Sequence, residues 1–192
     1  MREKGTNIDA MVAVRNLLLA LGYDADHDEN FRDTPKRVEK LYREMLNDKY
    51  EIRDGIKNIL GKKFPSSYQG MVTAKNIHTI SFCPHHLLPV KYTIDLGYIP
   101  KGKMLGLSKL ARLADLFSKQ LILQEELTSK IANSLYHDMK SSGAICIIKG
   151  EHDCMRIRGV EQDDSCVITS EVRGVFEKDG KARDEFFKLI KQ

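Results

Sequence analysis

The chain has 192 residues, of which 42% are hydrophobic and 30% are charged. This length and balance fit a soluble globular domain with a short extension, and they exclude a disordered or collagen-like protein. The net charge of +4 comes from lysines and arginines spread along the chain, which suits an anionic small molecule better than a nucleic acid. No apolar run approaches the ~20 residues of a membrane span, and the first residues lack the hydrophobic stretch of a signal peptide. We therefore expect a cytoplasmic protein whose four cysteines are ligands or buried thiols rather than disulfides.

The N-terminal third predicts a helical arm. Apolar residues from Asn7 to Leu21 recur at helical spacing, with Asn7 as the expected N-cap. A second helix is predicted from Arg32-Asp33-Thr34-Pro35, where the proline occupies the first turn. A short helix is expected near Ile56 to Leu60. We expect this arm, residues 1–65, to precede a main domain of residues 66–192.

The main domain alternates between strand-like and helix-like patterns. The predicted strands are Met71–Phe82, Lys91–Ile99, Ala144–Lys149 and Cys166–Val172. The predicted helices begin at Ser108, near Leu123 and at Arg183. The order of helices, two strands, two helices, two strands and a closing helix favours an α+β domain.

Two clusters of metal-binding residue types lie far apart in the chain: Cys83-Pro84-His85-His86 and His152-Asp153-Cys154. Thiolate sulfur and imidazole nitrogen are donors that zinc prefers, and a catalytic zinc commonly keeps three protein ligands and one open position. We count two thiolates and one imidazole as the expected ligands. If His152 and Cys154 lie in one strand, both point to the same face, and an unbound imidazole there can act as a general acid or base.

Two other interpretations of these clusters stay open. The cysteines can be small buried hydrophobic residues and the histidines hydrogen-bonded loop residues, which is the commoner situation for an isolated Cys-x-x-His. The second cluster of matching type makes that interpretation weaker. A closed structural site that uses both His85 and His86 is the other, although adjacent residues seldom point at one ion.

The ordered motifs resemble those of the GTP cyclohydrolase I family, which belongs to the tunnelling-fold group. The resemblance runs from about Asp28 to the C-terminus. Its motifs are Cys83-Pro84-His85-His86 with Pro89, Gly106 to Arg112, Gln124-Glu125, His152 to Val160, Thr169-Ser170 and Arg183 to Phe187. It implies a tunnelling fold, in which an antiparallel four-stranded sheet carries two helices between its strand pairs and follows an N-terminal helical arm.

The resemblance also implies a reaction. The family's zinc enzyme opens the imidazole ring of GTP at C8, releases formate and recyclises the product to 7,8-dihydroneopterin triphosphate. By position the zinc ligands are Cys83, His86 and Cys154, and water activated by the metal attacks C8. His152 matches the catalytic proton donor, and His85 matches the neighbouring histidine that assists at the purine and ribose.

The substrate-binding residues follow from the same resemblance. Glu125 matches the carboxylate that pairs with the guanine edge, and Gln124 lies beside it; adenine would leave that carboxylate unpaired. The residues expected at the triphosphate are Lys109, Arg112 and Arg158, with Ser108 at the start of the same helix as the first two. The family assembles as a ring-shaped homodecamer of two pentamers, with sites built from neighbouring subunits.

The chain departs from the family pattern at several positions. Pro84 stands where Glu is usual, which removes a backbone donor and a carboxylate from the loop but leaves the ligands intact. Glu126 stands where Arg is common, and Tyr92 replaces a common Gly. Alternatives therefore stay open: a variant that uses a related purine nucleotide or stops after ring opening, or a non-enzymatic paralogue that keeps zinc. Retention of His152, Glu125 and Arg158 together argues against the paralogue, since a scaffold has no need of all three.

Overall fold

A computed structural model describes residues 9–192, and the order of its elements follows the sequence pattern. The strands are β1 (Lys63–Pro65), β2 (Val72–Phe82), β3 (Pro89–Ile99), β4 (Lys103–Leu105), β5 (Gly143–His152) and β6 (Val167–Gly174). The helices are α1 (Ala10–Ala20), α2 (Glu29–Arg32), α3 (Thr34–Met45), α4 (Lys49–Leu60), α5 (Ser108–Ser118), α6 (Gln124–Asn133), α7 (Asp153–Arg156), α8 (Val175–Lys178) and α9 (Gly180–Lys191). A π-helical turn, Ser134–Asp138, follows α6.

Contacts divide the chain into two units, Met1–Leu46 and Asn47–Gln192. The predicted division into 1–65 and 66–192 stays a prediction, and by contacts α4 groups with the second unit. In the first unit, the side chain of Asp9 caps α1 by accepting from the backbone N–H of Met11 at 2.8 Å. The predicted N-cap, Asn7, lies outside the described residues.

The second unit is built on an antiparallel sheet with strand order β2-β3-β5-β6, and α5 and α6 connect the two strand pairs. This arrangement confirms the predicted α+β class and the helix pair between strand pairs. The short strands β1 and β4 pair separately, and their three residues each are too few to show a period in the sequence.

The sheet has an apolar core on each face. Leu113, Leu127 and Ile131 of α5 and α6 are fully buried against the β3 residues Ile94 and Leu96. On the opposite face a smaller cluster is formed by Met71, Ile145, Ile147, Phe176, Ala182 and Phe186. The α5 and α6 members of the first set recur at helical spacing, because each helix buries a single stripe of apolar residues.

Strand register brings distant segments to one end of the sheet. Phe82, the last residue of β2, pairs with Pro89, and the next β3 residue, Val90, pairs with His152 at the end of β5. A bridge between Phe82 and Leu121 brings the approach to α6 to the same end. The loop after β2, the end of β5 and the start of α6 therefore meet there.

Among the described residues, none of the helices has the length and apolar character required to cross a membrane.

The turn from β6 into α8 requires a glycine, which yields a stability prediction. Gly174 has φ 65° and ψ −123°, and a Cβ built there would lie 2.4 Å from the carbonyl oxygen of Ser142. Gly102 is the matched control, because it also has a positive φ, +72°, but a Cβ would meet nothing within 4 Å. We expect Gly102→Ala to lower the free energy of unfolding by about 1 kcal/mol through backbone strain alone. Gly174→Ala should cost about 1–3 kcal/mol more because the added methyl meets the backbone.

Urea denaturation of the two variants at one protein concentration measures the difference. Equal losses of stability would show that the contact with Ser142 is relieved by a small backbone shift.

Candidate active site

The loop that joins β2 to β3 carries the first metal-binding cluster. The backbone N–H of Cys83 donates to the carbonyl of Leu88, and that of Leu87 donates to the carbonyl of Cys83, each at 2.9 Å. Leu87 has φ 54°, which turns the chain back toward β3. Neither bond requires a donor from Pro84, so the proline that replaces the usual glutamate is compatible with this loop.

Three side chains converge beside this loop. The ligand atoms of Cys83, His86 and Cys154 all lie within 4.8 Å of one another. Cys83 is buried, Cys154 is half-buried and His86 is exposed, so the cluster is open on one side. Two sulfurs and one imidazole nitrogen are the donor set that zinc prefers, and the residues present therefore fit the expected metal.

Neighbouring groups act on the electrostatics of the cluster. Burial, and then the hydrogen bond and charge of Cys83, raise the pKa of the Cys154 thiol, whereas Arg158 lowers it. A bound cation would reverse the net direction, since a coordinated thiol is deprotonated. Nη1 of Arg158 lies 2.8 Å from Nε2 of His86. Because a guanidinium group only donates, Nε2 of His86 accepts that hydrogen bond, and Nδ1, 3.6 Å from the Cys83 sulfur, then carries the ring hydrogen. A metal bound to His86 would displace either Arg158 from Nε2 or the hydrogen from Nδ1.

His152 ends β5 at the edge of the same cluster. Its Nε2 lies 2.8 Å from Oε1 of Gln124, and its ring stands edge-on to Tyr92 at a centroid distance of 6.2 Å. Partial burial lowers the pKa of His152, and the charge of Glu125 opposes that shift. The condition considered from the sequence, that His152 and Cys154 lie in one strand, is not met, because the chain leaves β5 at His152 and Cys154 lies in the helical turn α7.

A cavity of about 240 Å³ joins these groups. Its lining includes seven of the residues expected from the sequence: Cys83, His85, His86, Gln124, Glu125, His152 and Cys154. Glu125 is exposed at the first turn of α6, whereas the side chain of Gln124 is buried. The two clusters, nearly seventy residues apart in the chain, therefore form one site with the start of α6.

The residues expected at the triphosphate lie elsewhere. Ser108, Lys109 and Arg112 are on α5 and do not belong to the described lining of this cavity. Nζ of Lys109 lies 3.3 Å from the carbonyl oxygen of Asn58. Arg158, in contrast, lies beside the metal cluster, where it contacts His86 and acts on the charge of Cys154. The structure thus brings the metal, proton-transfer and base-recognition candidates together, and it leaves the α5 cations apart from them in a single chain.

Sequence reasoning did not select Tyr92 as a site residue, although it noted the added bulk there. Tyr92 is 2% exposed, and its pKa is raised by burial first and then by Cys83, Glu125 and Cys154. It therefore lies buried beside His152 and outside the described cavity lining. Gly150, its partner across β3 and β5, was also not selected, since an isolated glycine in a strand carries no chemical signal.

The fold and site define an α+β protein with a candidate metal centre at one end of an antiparallel sheet. The sequence matches the GTP cyclohydrolase I family over residues 10–191. A Nostoc sp. protein named GTP cyclohydrolase 1 2 is 38% identical over 97% of this chain and 85% of its own length. GTP cyclohydrolase 1 of Coxiella burnetii is 40% identical over 93% of this chain and 96% of its own length, and that of Dehalococcoides mccartyi is 37% identical over 94% of each.

The chain therefore belongs to the GTP cyclohydrolase I family and is an enzyme of that family. Among solved structures, the archaeosine synthase QueF-Like in the apo form is similar over 57% of this chain and 96% of that chain. The TM-score is 0.44 and the sequence identity 16%. The family assignment rests on the sequence matches.

The geometry of the cluster predicts stoichiometric metal binding. We expect the protein to bind one Co²⁺ or Zn²⁺ per chain, with sulfur-to-cobalt charge-transfer absorption in the Co²⁺ form. Cys154→Ser removes a direct ligand and should weaken binding by more than the about 10–100-fold that loss of an outer hydrogen-bond partner costs. Cys166→Ser is the control, because Cys166 is an exposed cysteine outside the cluster. Equal affinities in the two variants would remove Cys154 from the metal site.

Proposed function

We propose that this protein hydrolyses the imidazole ring of GTP at C8, releases formate and recyclises the product to 7,8-dihydroneopterin triphosphate. The net reaction consumes one water for each GTP and forms one formate and one pterin. The observation that carries the proposal is the convergence of the Cys83, His86 and Cys154 ligand atoms beside His152 and Glu125 in one cavity. The match to the GTP cyclohydrolase I family over residues 10–191 supports the same proposal.

The metal is proposed to be Zn²⁺, held by Cys83, His86 and Cys154. The ion supplies Lewis acidity that lowers the pKa of water toward neutrality. The protein contributes a half-closed position for it, with one sulfur buried and the imidazole at the open side. Such a three-ligand set suits a catalytic rather than a closed structural site.

His152 is proposed to transfer the proton to the purine nitrogen released when the ring opens. Its half-buried imidazole lies in the same cavity as the ligand cluster, and Gln124 and Tyr92 hold the ring in place. His85 lines the same cavity from the loop and is exposed, which suits its proposed assistance at the purine and ribose. Both roles require the histidines to be near the cavity, and His85 and His152 both line it.

Glu125 is proposed to select guanine. A carboxylate accepts hydrogen bonds from the ring N–H and the exocyclic amine of guanine, and adenine lacks this pair of adjacent donors. The first turn of α6 presents Glu125 to the cavity, with its neighbour Glu126 paired instead to Lys130 at 2.9 Å. The exposed position of Glu125 leaves its carboxylate available to the base.

The triphosphate is proposed to bind Ser108, Lys109, Arg112 and Arg158. Ser108 begins α5, where backbone N–H groups and the helix dipole favour anions, and Arg112 lies one turn further along the same exposed face. The cations match the charge of the triphosphate.

The active assembly is proposed to be a ring-shaped homodecamer of two pentamers. The α5 residues do not line the cavity of their own chain, so a neighbouring subunit is the natural source of them. The cavity of about 240 Å³ is also smaller than the about 300–1,000 Å³ that encloses a drug-sized ligand. A neighbouring chain would supply the α5 residues and would also enlarge the enclosed space. We also propose a cytosolic location, because free cysteines are typical of proteins in a reducing compartment.

The reaction is tested by incubating zinc-loaded protein with GTP and measuring formate and pterin absorbance in the same sample. We expect equal amounts of both products. His152→Ala should lower kcat by about 10²–10⁴-fold with the zinc content unchanged, since it removes one general acid. His27→Ala is the control, because His27 is exposed and, among the described residues, its side-chain partner Asp24 is three positions away in the chain.

Formate without pterin would mean an enzyme that stops after ring opening. Absence of both products would point to a related purine nucleotide as substrate, and an unchanged rate in His152→Ala would remove His152 from the mechanism.

Base selection is tested with Glu125→Gln and the neighbouring control Glu126→Gln. We expect Glu125→Gln to reduce the preference for GTP over inosine triphosphate by about 10–100-fold, the value of one charge-assisted hydrogen bond. Inosine triphosphate is the comparison because it lacks the exocyclic amine and keeps the ring N–H. The ratio of the kcat/KM values for the two nucleotides measures the preference. If neither variant changes this ratio, other groups recognise guanine.

A further inference from the structure

The side-chain amide of Gln124 is enclosed between α6 and the strands β5 and β6. Gln124 is 3% exposed. Its Nε2 lies 3.1 Å from the carbonyl oxygen of Ile148 and 2.9 Å from that of Val167. Carbonyl oxygens only accept, so the NH₂ end of the amide must face them. The opposite orientation would place three oxygens together in a buried space, at the cost of unmade hydrogen bonds.

Two threonines close a directed ring around the same amide. The hydroxyl of Thr128 lies 2.7 Å from the backbone carbonyl of Gln124 and donates to it. Since its only hydrogen is used there, Thr128 accepts from the hydroxyl of Thr169, 2.6 Å away. Thr169 in turn lies 3.1 Å from Nε2 of Gln124 and accepts from it, sharing the two hydrogens of the amide with the carbonyls of Ile148 and Val167. The direction of each bond follows from its neighbour, and all of them require the same amide orientation.

This orientation has a consequence for His152. With Nε2 of Gln124 committed to acceptors, its Oε1 faces the imidazole, 2.8 Å from Nε2 of His152. An amide oxygen only accepts, so Nε2 of His152 carries a hydrogen. In the neutral imidazole the lone pair then lies on Nδ1.

Gly150 makes room for the amide. A Cβ built at Gly150 would lie 2.2 Å from Oε1 of Gln124 and 2.9 Å from Cε1 of Tyr92. Any side chain there would therefore displace the oxygen that holds His152. The absence of a side chain at Gly150 is thus part of the arrangement, two residues before His152 in β5.

We infer that Gln124 is a positioning residue that holds His152 as the Nε2–H tautomer, so that Nδ1 is the atom that delivers and recovers the proton. The catalytic part of this inference rests on the function proposed above. In the proposed reaction, the Nδ1 lone pair of neutral His152 takes a hydrogen from the water whose oxygen bonds to C8, and the same Nδ1 then gives that hydrogen to the purine nitrogen released from C8. The hydrogen on Nε2 of His152 stays on that nitrogen, in its hydrogen bond to Oε1 of Gln124. This role differs from the direct substrate contact expected for Gln124, which stays a prediction.

The tautomer is measured by NMR on zinc-loaded protein with ¹⁵N-labelled histidine, at a pH where the imidazole is neutral. The signals of His152 are identified by their loss in His152→Ala. We expect a protonated Nε2 and an unprotonated Nδ1 in the parent protein, and a mixture of both tautomers in Gln124→Met, which keeps the size but loses the amide. A hydrogen on Nδ1 of the parent protein, or an unchanged spectrum in Gln124→Met, would overturn the inference. This readout does not depend on activity, so it separates a failure here from a failure of the proposed reaction.

Kinetics separate positioning from substrate binding. We expect Gln124→Met and Gly150→Ala each to lower kcat by about 10–100-fold, because misplacing a catalytic group by roughly 1 Å costs about that much. KM and the zinc content should stay unchanged. The double variant should lose little more than either single one, because both disturb the same contact. Thr169→Ser should recover most of the rate lost in Thr169→Val, since it restores the hydroxyl of the ring. A rise in KM at constant kcat would instead make Gln124 a substrate ligand.

Discussion

The antiparallel pairing of β3 with β5 is the interaction on which the candidate site depends. It sets Val90 opposite His152 and Tyr92 opposite Gly150, on the face of the sheet that α5 and α6 cover. Because side chains alternate between faces, a slip of one residue would turn His152 away from the metal cluster and place a longer side chain where Gly150 lies. The fully buried side chains of Cys146 and Ile148 stabilise that register, since the same slip of β5 would move them out of the core and onto the opposite face.

A hydrogen-bonded group of polar side chains lies inside this largely apolar layer. Gln124, Thr128 and Thr169 satisfy one another and two strand carbonyls, so their burial leaves no unpaired group among the atoms described here. A buried network of this kind allows few alternative side-chain orientations, because any rotation leaves a donor or acceptor without a partner. Through the hydrogen bond from His152 to Gln124, the packing of α6 on the sheet also restrains the imidazole of His152 at the edge of the cavity.

The positions where the chain departs from its family are each accommodated locally. The loop hydrogen bonds of Cys83 and Leu87 do not involve Pro84 as a donor. The ring of Tyr92 occupies space beside Gly150, where a larger residue would collide with it. Glu126 pairs with Lys130 on the outer side of α6 and is not part of the described cavity lining. None of the three removes a ligand, the histidines or Glu125 from the site.

The sequence by itself determined the order of the main elements, the α+β class, the family and the residue types of the metal cluster. These follow from local properties: the apolar period of α5 and α6, the β-branched runs of the strands, and the donor chemistry of cysteine and histidine. Only the tertiary structure decided that β5 ends at His152, that Cys154 lies in a helical turn, and that the α5 cations lie apart from the cavity of their own chain. It also decided which way the Gln124 amide faces. The physical reason is that hydrogen-bond direction and cross-strand partners depend on atoms far apart in the chain, such as Thr169 and Gly150, whose positions no local pattern encodes.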